Sequence, residues 1–152
     1  MELDLDLDET TNFNSEVLDL IGVFPKLTKL KCLLLSLGSF TIALPSSCKL
    51  IEGIRNLKEL ATLKLSYIII SKPFSETFNQ TAPSLKNLKA LSLKFKTEGA
   101  LDVKFINEFI ASLSQLRSLE KLRLDFGNLE HEKKSLIQEK LKSLPNLHYY
   151  VV

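Results

Sequence analysis

Residues that carry chemistry are scarce in this chain. Two cysteines, Cys32 and Cys48, and two histidines, His131 and His148, are spread over 152 residues. No CxxC pair is present, so the usual spacing of a zinc site is missing, and two thiols are too few for a disulfide framework. They read as free thiols in a reducing compartment. The five glycines, Gly22, Gly38, Gly53, Gly99 and Gly127, stand apart from one another. Neither GxGxxG nor GxxxxGK[ST] runs through them, which removes the backbone cradles that hold nucleotide phosphates. The longest apolar runs, such as Tyr67 to Ile70, fall far below the ~20 residues of a membrane helix. Residues 2–9 are acidic and alternating, unlike a signal or Arg-rich transit peptide. Without an export route the sequon Asn79-Gln80-Thr81 is not read. The expectation is an intracellular protein, cytoplasmic or nuclear, with no membrane contact and no cofactor.

Leucine is what the chain has in excess: 32 residues, about one in five. At this length a single domain spanning 1–152 can bury a real core. The net charge of +2 hides an asymmetry, because residues 1–30 hold seven acids against Lys26 and Lys29 and the remainder is basic. A mildly basic body with an acidic start is not by itself a nucleic-acid signature.

The most conspicuous polar cluster opens the chain, where Asp4, Asp6 and Asp8 alternate with Leu3, Leu5 and Leu7. It resembles the start of a calcium loop, but Glu9 stands where that loop needs Gly and Ser15 where it needs Glu. The intervening leucines are also wrong for a solvated loop. The reading is therefore a strand, with no metal. His131 sits in Glu130-His131-Glu132 at an expected helix start, whose solvated end is the simplest place for it.

The organisation is repetitive. Four segments align without gaps: LKELATLKLSY (57–67), LKNLKALSLKF (85–95), LRSLEKLRLDF (116–126) and LKSLPNLHYYV (141–151). Each reads L-x-x-L-x-x-L-x-L-x-aromatic, with Tyr149 and Val151 replacing the last two positions in the final copy. Two weaker copies precede them. LLLSLG (33–38) matches LRLDFG (122–127), and LDLDL (3–7) matches the strand part. The pattern's third Leu then falls at 3, 33, 63, 91, 122 and 147. Alternation, as in Leu63, Leu65 and Tyr67, predicts one face of a strand. Three-residue spacing, as in Leu57, Leu60 and Leu63, suits a helix end turning into that strand. Between strands, apolar stripes predict helices over 14–23, 46–59, 102–117 and 129–143. Ser46 and Ser47 stand as N-caps of the second, and the third begins at Asp102. Pro73 and Pro83 limit 73–84 to about two turns.

Strand and helix alternating at a fixed period predict an α/β protein with parallel strands and helical crossovers. With these leucines at this spacing, the chain resembles a leucine-rich repeat protein of the long-repeat class that includes ribonuclease inhibitor and the Ran GTPase-activating protein. In its Lys- and Asn-rich style it is also similar to ciliate members of that family. The resemblance covers nearly the whole chain and implies a solenoid. A curved parallel sheet of about six short strands would have its helices on the convex side, in five to six repeats of about 29 residues. The family's Asn or Cys beyond the strand is replaced by Ile68, Lys96 and Gly127, with Asn128 one place late, so irregular strand-to-helix turns are expected. A doubly wound sheet would need strands apolar on both faces. Lys64/Ser66, Ser92/Lys94 and Arg123/Asp125 argue against it.

In such a solenoid the residues between the ladder leucines form the concave face. In strand order they are Asp4, Asp6 and Asp8; Leu34 and Ser36; Lys64 and Ser66; Ser92, Lys94 and Lys96; Arg123 and Asp125; and His148 and Tyr150. Cys32 and His148 would lie four strands apart, too far for a nucleophile–base pair, so no catalytic site is expected. The function expected is a non-catalytic protein–protein interaction scaffold, or a subunit of a larger assembly, using this face or an uncapped terminal strand. Family resemblance implies as an alternative a modulator of an enzyme such as a ribonuclease or a small GTPase. Lys64, Lys94, Lys96 and Arg123 leave nucleic-acid binding as a third reading.

Overall fold

The computed structural model describes residues 1–6, 19–36, 44–69, 71–96, 103–144 and 146–151. Six strands are present among these residues: β1 (Glu2–Asp6), β2 (Cys32–Ser36), β3 (Thr62–Ile69), β4 (Ala90–Lys96), β5 (Lys121–Asp125) and β6 (Tyr149–Val151). They pair in parallel and in chain order, β1-β2-β3-β4-β5-β6. Helical residues 19–23 (α1) run into a 3-10 turn at Phe24–Lys26 before β2. Helices α2 (Leu44–Ile54), α3 (Lys72–Thr81), α4 (Val103–Leu113) and α5 (His131–Leu141) precede the next four strands. Crossovers between parallel strands are right-handed almost without exception, so an order that never reverses keeps every crossover on one side. The protein is thus α/β, and the order of the described strands has no reversal point of the doubly wound kind.

The leucine triplets explain how each helix becomes a strand. Leu57 N donates to Ile54 O and Leu60 N to Leu57 O. The same pair of three-residue bonds recurs at Leu27 and Leu30, Leu85 and Leu88, Leu116 and Leu119, and Leu144 and Leu147. Bonds of this kind advance the chain three residues per turn, which keeps every third side chain on the core side. This is why the expected helices ran long: the stripe continues through Leu57 and Leu116 after α geometry has ended. Ser46 and Ser47, expected as N-caps, instead fall inside the first turn of α2, and Ser47 is buried. Asp102 lies outside the described residues. An N-cap that was not expected holds α3, where the Ser71 hydroxyl accepts from Phe74 N at 3.3 Å.

Successive turns are also tied to one another. Asn87 Nδ2 donates to Lys58 O at 2.9 Å, Ser118 Oγ to Lys86 O at 2.7 Å, and Asn146 Nδ2 to Arg117 O. The side-chain ladder missing after the strands is thus built before them, one position ahead of the second turn leucine. Asn87→Ala should therefore cost about 0.5–1.5 kcal/mol, the usual net worth of one such bond. Urea unfolding would read it as a lower midpoint at unchanged slope.

Register sorts the strand residues into rows. Leu3, Leu33, Leu63, Leu91, Leu122 and Tyr150 align across the sheet, as do Leu5, Leu35, Leu65, Leu93 and Leu124. From β2 to β5 these leucines are at most 2 % exposed. They pack with helix residues including Ile54, Phe78, Phe109 and Ile137 in one continuous core. Two expectations need correction. The first concerns Tyr67. The ladder shifts between Ser66 and Ile68, Tyr67 takes φ +65°, and Ile68 pairs with Phe95 in the core row. The second concerns the last copy, where Leu122 pairs with Tyr150 and not with Leu147. Leu141, Leu144 and Leu147 are the helix-end and turn leucines of that unit, equivalent to Leu113, Leu116 and Leu119. The last copy therefore stands one L-x-x-L step away from its expected register, and every step of that motif looks alike in sequence.

Candidate functional site: the polar face of the sheet

The helices cover one face of the sheet and leave the other to the residues between the leucines. Three outward rows are set by the register. The first is Glu2, Cys32, Thr62, Ala90, Lys121 and Tyr149; the second is Asp4, Leu34, Lys64, Ser92, Arg123 and Val151; the third is Asp6, Ser36, Ser66, Lys94 and Asp125. The second and third hold most of the expected face. Asp4, Lys64, Lys94 and Arg123 are exposed, Leu34, Ser36, Ser92 and Asp125 are half-buried, and Ser66 is buried. Lys96 is half-buried at the end of β4, paired in register with Ile69. Asp8 lies outside the described residues.

Two members of the expected face move with the slipped register. His148 precedes β6, where its N–H donates to Glu120 O, and Tyr150 falls in the leucine row. Tyr149 and Val151 take the outward register positions instead. Nothing in the alternation marks the first row, because each of its residues stands just before a ladder position and so outside the L-x-L pattern.

Tyr67 was missed for a different reason. It occupies the pattern's aromatic position, where Phe95 and Phe126 are buried. The bulge turns the strand by one residue at that point, and bulges commonly re-aim a side chain. Tyr67 ends half-buried, with Lys94 Nζ 4.8 Å from its ring centroid and 3.5 Å from its hydroxyl. A cation over an aromatic face at this range is attracted by the ring quadrupole. Left-handed backbone is unfavourable for a bulky side chain, and Tyr67 is the one non-glycine among the described residues that adopts it. Nothing in the sequence marks that choice beyond the run of isoleucines after it, which lets Ile68 fill the core.

Charge is distributed unevenly over the rows. Glu2, Asp4 and Asp6 stand on β1, none of the three β2 positions is charged, and Lys64, Lys94, Lys121 and Arg123 stand on β3 to β5. Asp125, the acid among them, turns back on its own chain: its carboxylate accepts from Gly127 N at 2.9 Å, and Gly127 sits at φ +64°. That closes the β5 exit with a side-chain turn where Asn was absent, and it gives Asp125 a structural task. On the acidic side, burial and then the Glu2 carboxylate push the Cys32 thiol up, so it stays protonated near neutrality, the reverse of an activated nucleophile.

A shallow trough runs along β4 on this face. Ala90 and Ser92 form its floor. Thr62 and Lys64 rise on the β3 side, and Lys121 and Arg123 on the β5 side. Its volume is about 220 Å³ and its walls are almost entirely carbon, with Leu34 contributing from β2. Lys64, Lys121 and Arg123 make no ion pair with any described residue, whereas Lys89 is paired with Glu120 at 3.1 Å. Among the described residues no group of three or more His, Cys, Asp or Glu side chains could hold a metal ion, and no helix is long and apolar enough to cross a membrane. No protein-family model matches the chain, and no curated protein matches it.

Proposed function

We propose that the chain is a leucine-rich repeat solenoid that acts as a non-catalytic interaction scaffold or complex subunit, binding a protein through the polar face of its sheet. One observation supports this most. Six parallel strands follow one another in register, each described crossover closes with the same leucine turn, and the outward rows are not needed by the core. A fold built from such units presents one strand's worth of surface per repeat, and extended surfaces of this kind suit macromolecular partners. The cations of β3 to β5 would set specificity and association rate.

The same cations favour one second reading, nucleic-acid binding through Lys64, Lys94, Lys96 and Arg123. It requires a steep fall in affinity with salt. Regulation of an enzyme such as a ribonuclease or a small GTPase is a special case of the scaffold reading.

The test is affinity purification with mass spectrometry, comparing the wild type with the Lys64→Glu/Lys94→Glu/Arg123→Glu variant. All three positions are exposed, so the fold should persist. The principal partner is expected to disappear from the variant's eluate. Recovery at full yield would remove the polar face from the proposal.

A further inference from the structure

We infer that the trough along β4 receives an extended acidic segment of the partner protein, with one aliphatic side chain seated over Ala90 and Ser92 and carboxylates set against the surrounding cations. The inference rests on the interaction reading above and names the chemistry of the partner.

Size argues first. A volume of about 220 Å³ is below the roughly 300–1,000 Å³ of small-molecule and cofactor sites. It suits a side chain better than a free ligand. Its carbon walls favour an aliphatic group, because Lys64, Lys121 and Arg123 line it almost entirely with carbon, as the stems of long cationic side chains can while the charge stays solvated.

Charge argues second. Lys64 and Arg123 flank Ser92 in one register row, two strand spacings or roughly 10 Å apart. Lys121 flanks Ala90, and Lys94 follows Ser92 on the same face of β4, with its ammonium against the Tyr67 ring. An apolar floor lined by three cations, with Lys94 next along β4, is complementary to an apolar residue flanked by acids. The acids of β1 lie two strands from β3 and would repel such a segment there, which confines it to β3–β5.

Spacing argues third. Ala90, Ser92 and Lys94 repeat every second residue along β4, about 6.6 Å apart, which is also the same-face repeat of an extended peptide. A side chain two positions from the seated one therefore falls at Lys94. The bulge takes Tyr67 out of the core row and sets its ring against Lys94, so the aromatic lies beside the lysine that such a side chain would meet. The pattern read by the trough is acid-x-aliphatic-x-acid.

The experiment uses the full chain and fluorescence anisotropy with capped, labelled peptides. The probe is Glu-Glu-Ser-Leu-Ser-Glu-Glu. Its comparators replace Leu by Gly, or all Glu by Lys, and a poly(U) oligonucleotide serves as the nucleic-acid arm. The acidic Leu peptide should bind. The Gly peptide should bind at least tenfold more weakly, and Lys64→Glu/Arg123→Glu should weaken the acidic peptide at least tenfold. Ala90→Leu, which fills the trough without changing charge, should also abolish binding, and it keeps the test valid if the double variant fails to fold. Absence of binding by the acidic peptide at millimolar concentration, equal binding of the Lys peptide, indifference to Leu or to Ala90→Leu, or tighter binding of poly(U) would each overturn the inference. If the peptide fails while charge reversal still removes the purified partner, the polar-face reading stands and the acidic segment does not. If both fail, both are wrong.

Discussion

Phe109→Ala should lower the unfolding free energy by about 3–5 kcal/mol, the usual range for truncating a large buried aromatic. Phe109 is 1 % exposed on α4 and sits at the centre of an aromatic cluster. Its ring centroid lies 5.5 Å from Phe78, 5.7 Å from Phe95, 6.0 Å from Phe105 and 6.5 Å from Phe74. The Phe95 contact is edge-on at 85°, the geometry in which ring quadrupoles attract. These rings come from α3, β4 and α4, so one truncation loosens two helices and the strand that floors the trough. A loss of that size is a large fraction of the roughly 5–15 kcal/mol that holds an ordinary domain together. The matched control is Val103→Ala on the same helix. Val103 is 51 % exposed, and its truncation should change stability by less than about 0.5 kcal/mol. Urea unfolding of the pair would separate them. Similar midpoints would mean that the cluster is not packed as described.

Much of this core was legible in the sequence. Leu63, Leu65, Leu91, Leu93, Leu122 and Leu124 announce their strands because alternation leaves a polar partner at every other position. The parallel order followed from helices of similar length between similar strands. Legibility failed where a local pattern had two solutions of equal appearance. In LKSLPNLHYYV each L-x-x-L step fits either the turn or the turn-to-strand junction, and only pairing with β5 chooses between them. At LKLSYIII two apolar residues in succession allow either Tyr67 or Ile68 to enter the core. The choice is decided by what fits beside Phe95, on a neighbouring strand and 27 residues away from Ile68 in sequence. The site inherits both ambiguities. Lys64, Ser92 and Arg123 lie between two unambiguous leucines, and Lys94 between Leu93 and Phe95, so the alternation marks all four. It does not mark Tyr67 and Lys121, since one sits on the bulge and the other lies just outside the pattern.

The same logic yields the sharpest stability contrast on adjacent residues. Leu93→Asp should abolish the fold, whereas Ser92→Asp should leave it intact. Leu93 is fully buried between Leu65 and Leu124. A carboxylate there loses its hydration with no cation to replace it, a cost of several kcal/mol on top of the lost leucine packing. Ser92 is half-buried on the opposite face, with Lys64 and Arg123 beside it in register. An aspartate there gains two cationic neighbours in a partly solvated setting, where such contacts are worth at most about 1 kcal/mol. Far-ultraviolet circular dichroism and a thermal melt would show a cooperative transition for Ser92→Asp and none for Leu93→Asp. A folded Leu93→Asp protein would invert the assignment of faces, and with it every residue placed on the polar side. Ser92→Asp tests function as well as fold. Its carboxylate supplies internally the charge that the trough is inferred to take from a partner. A protein that melts like the wild type but no longer binds the acidic leucine peptide would show that the cations of β3 and β5 act as a set, one that a single internal acid can occupy.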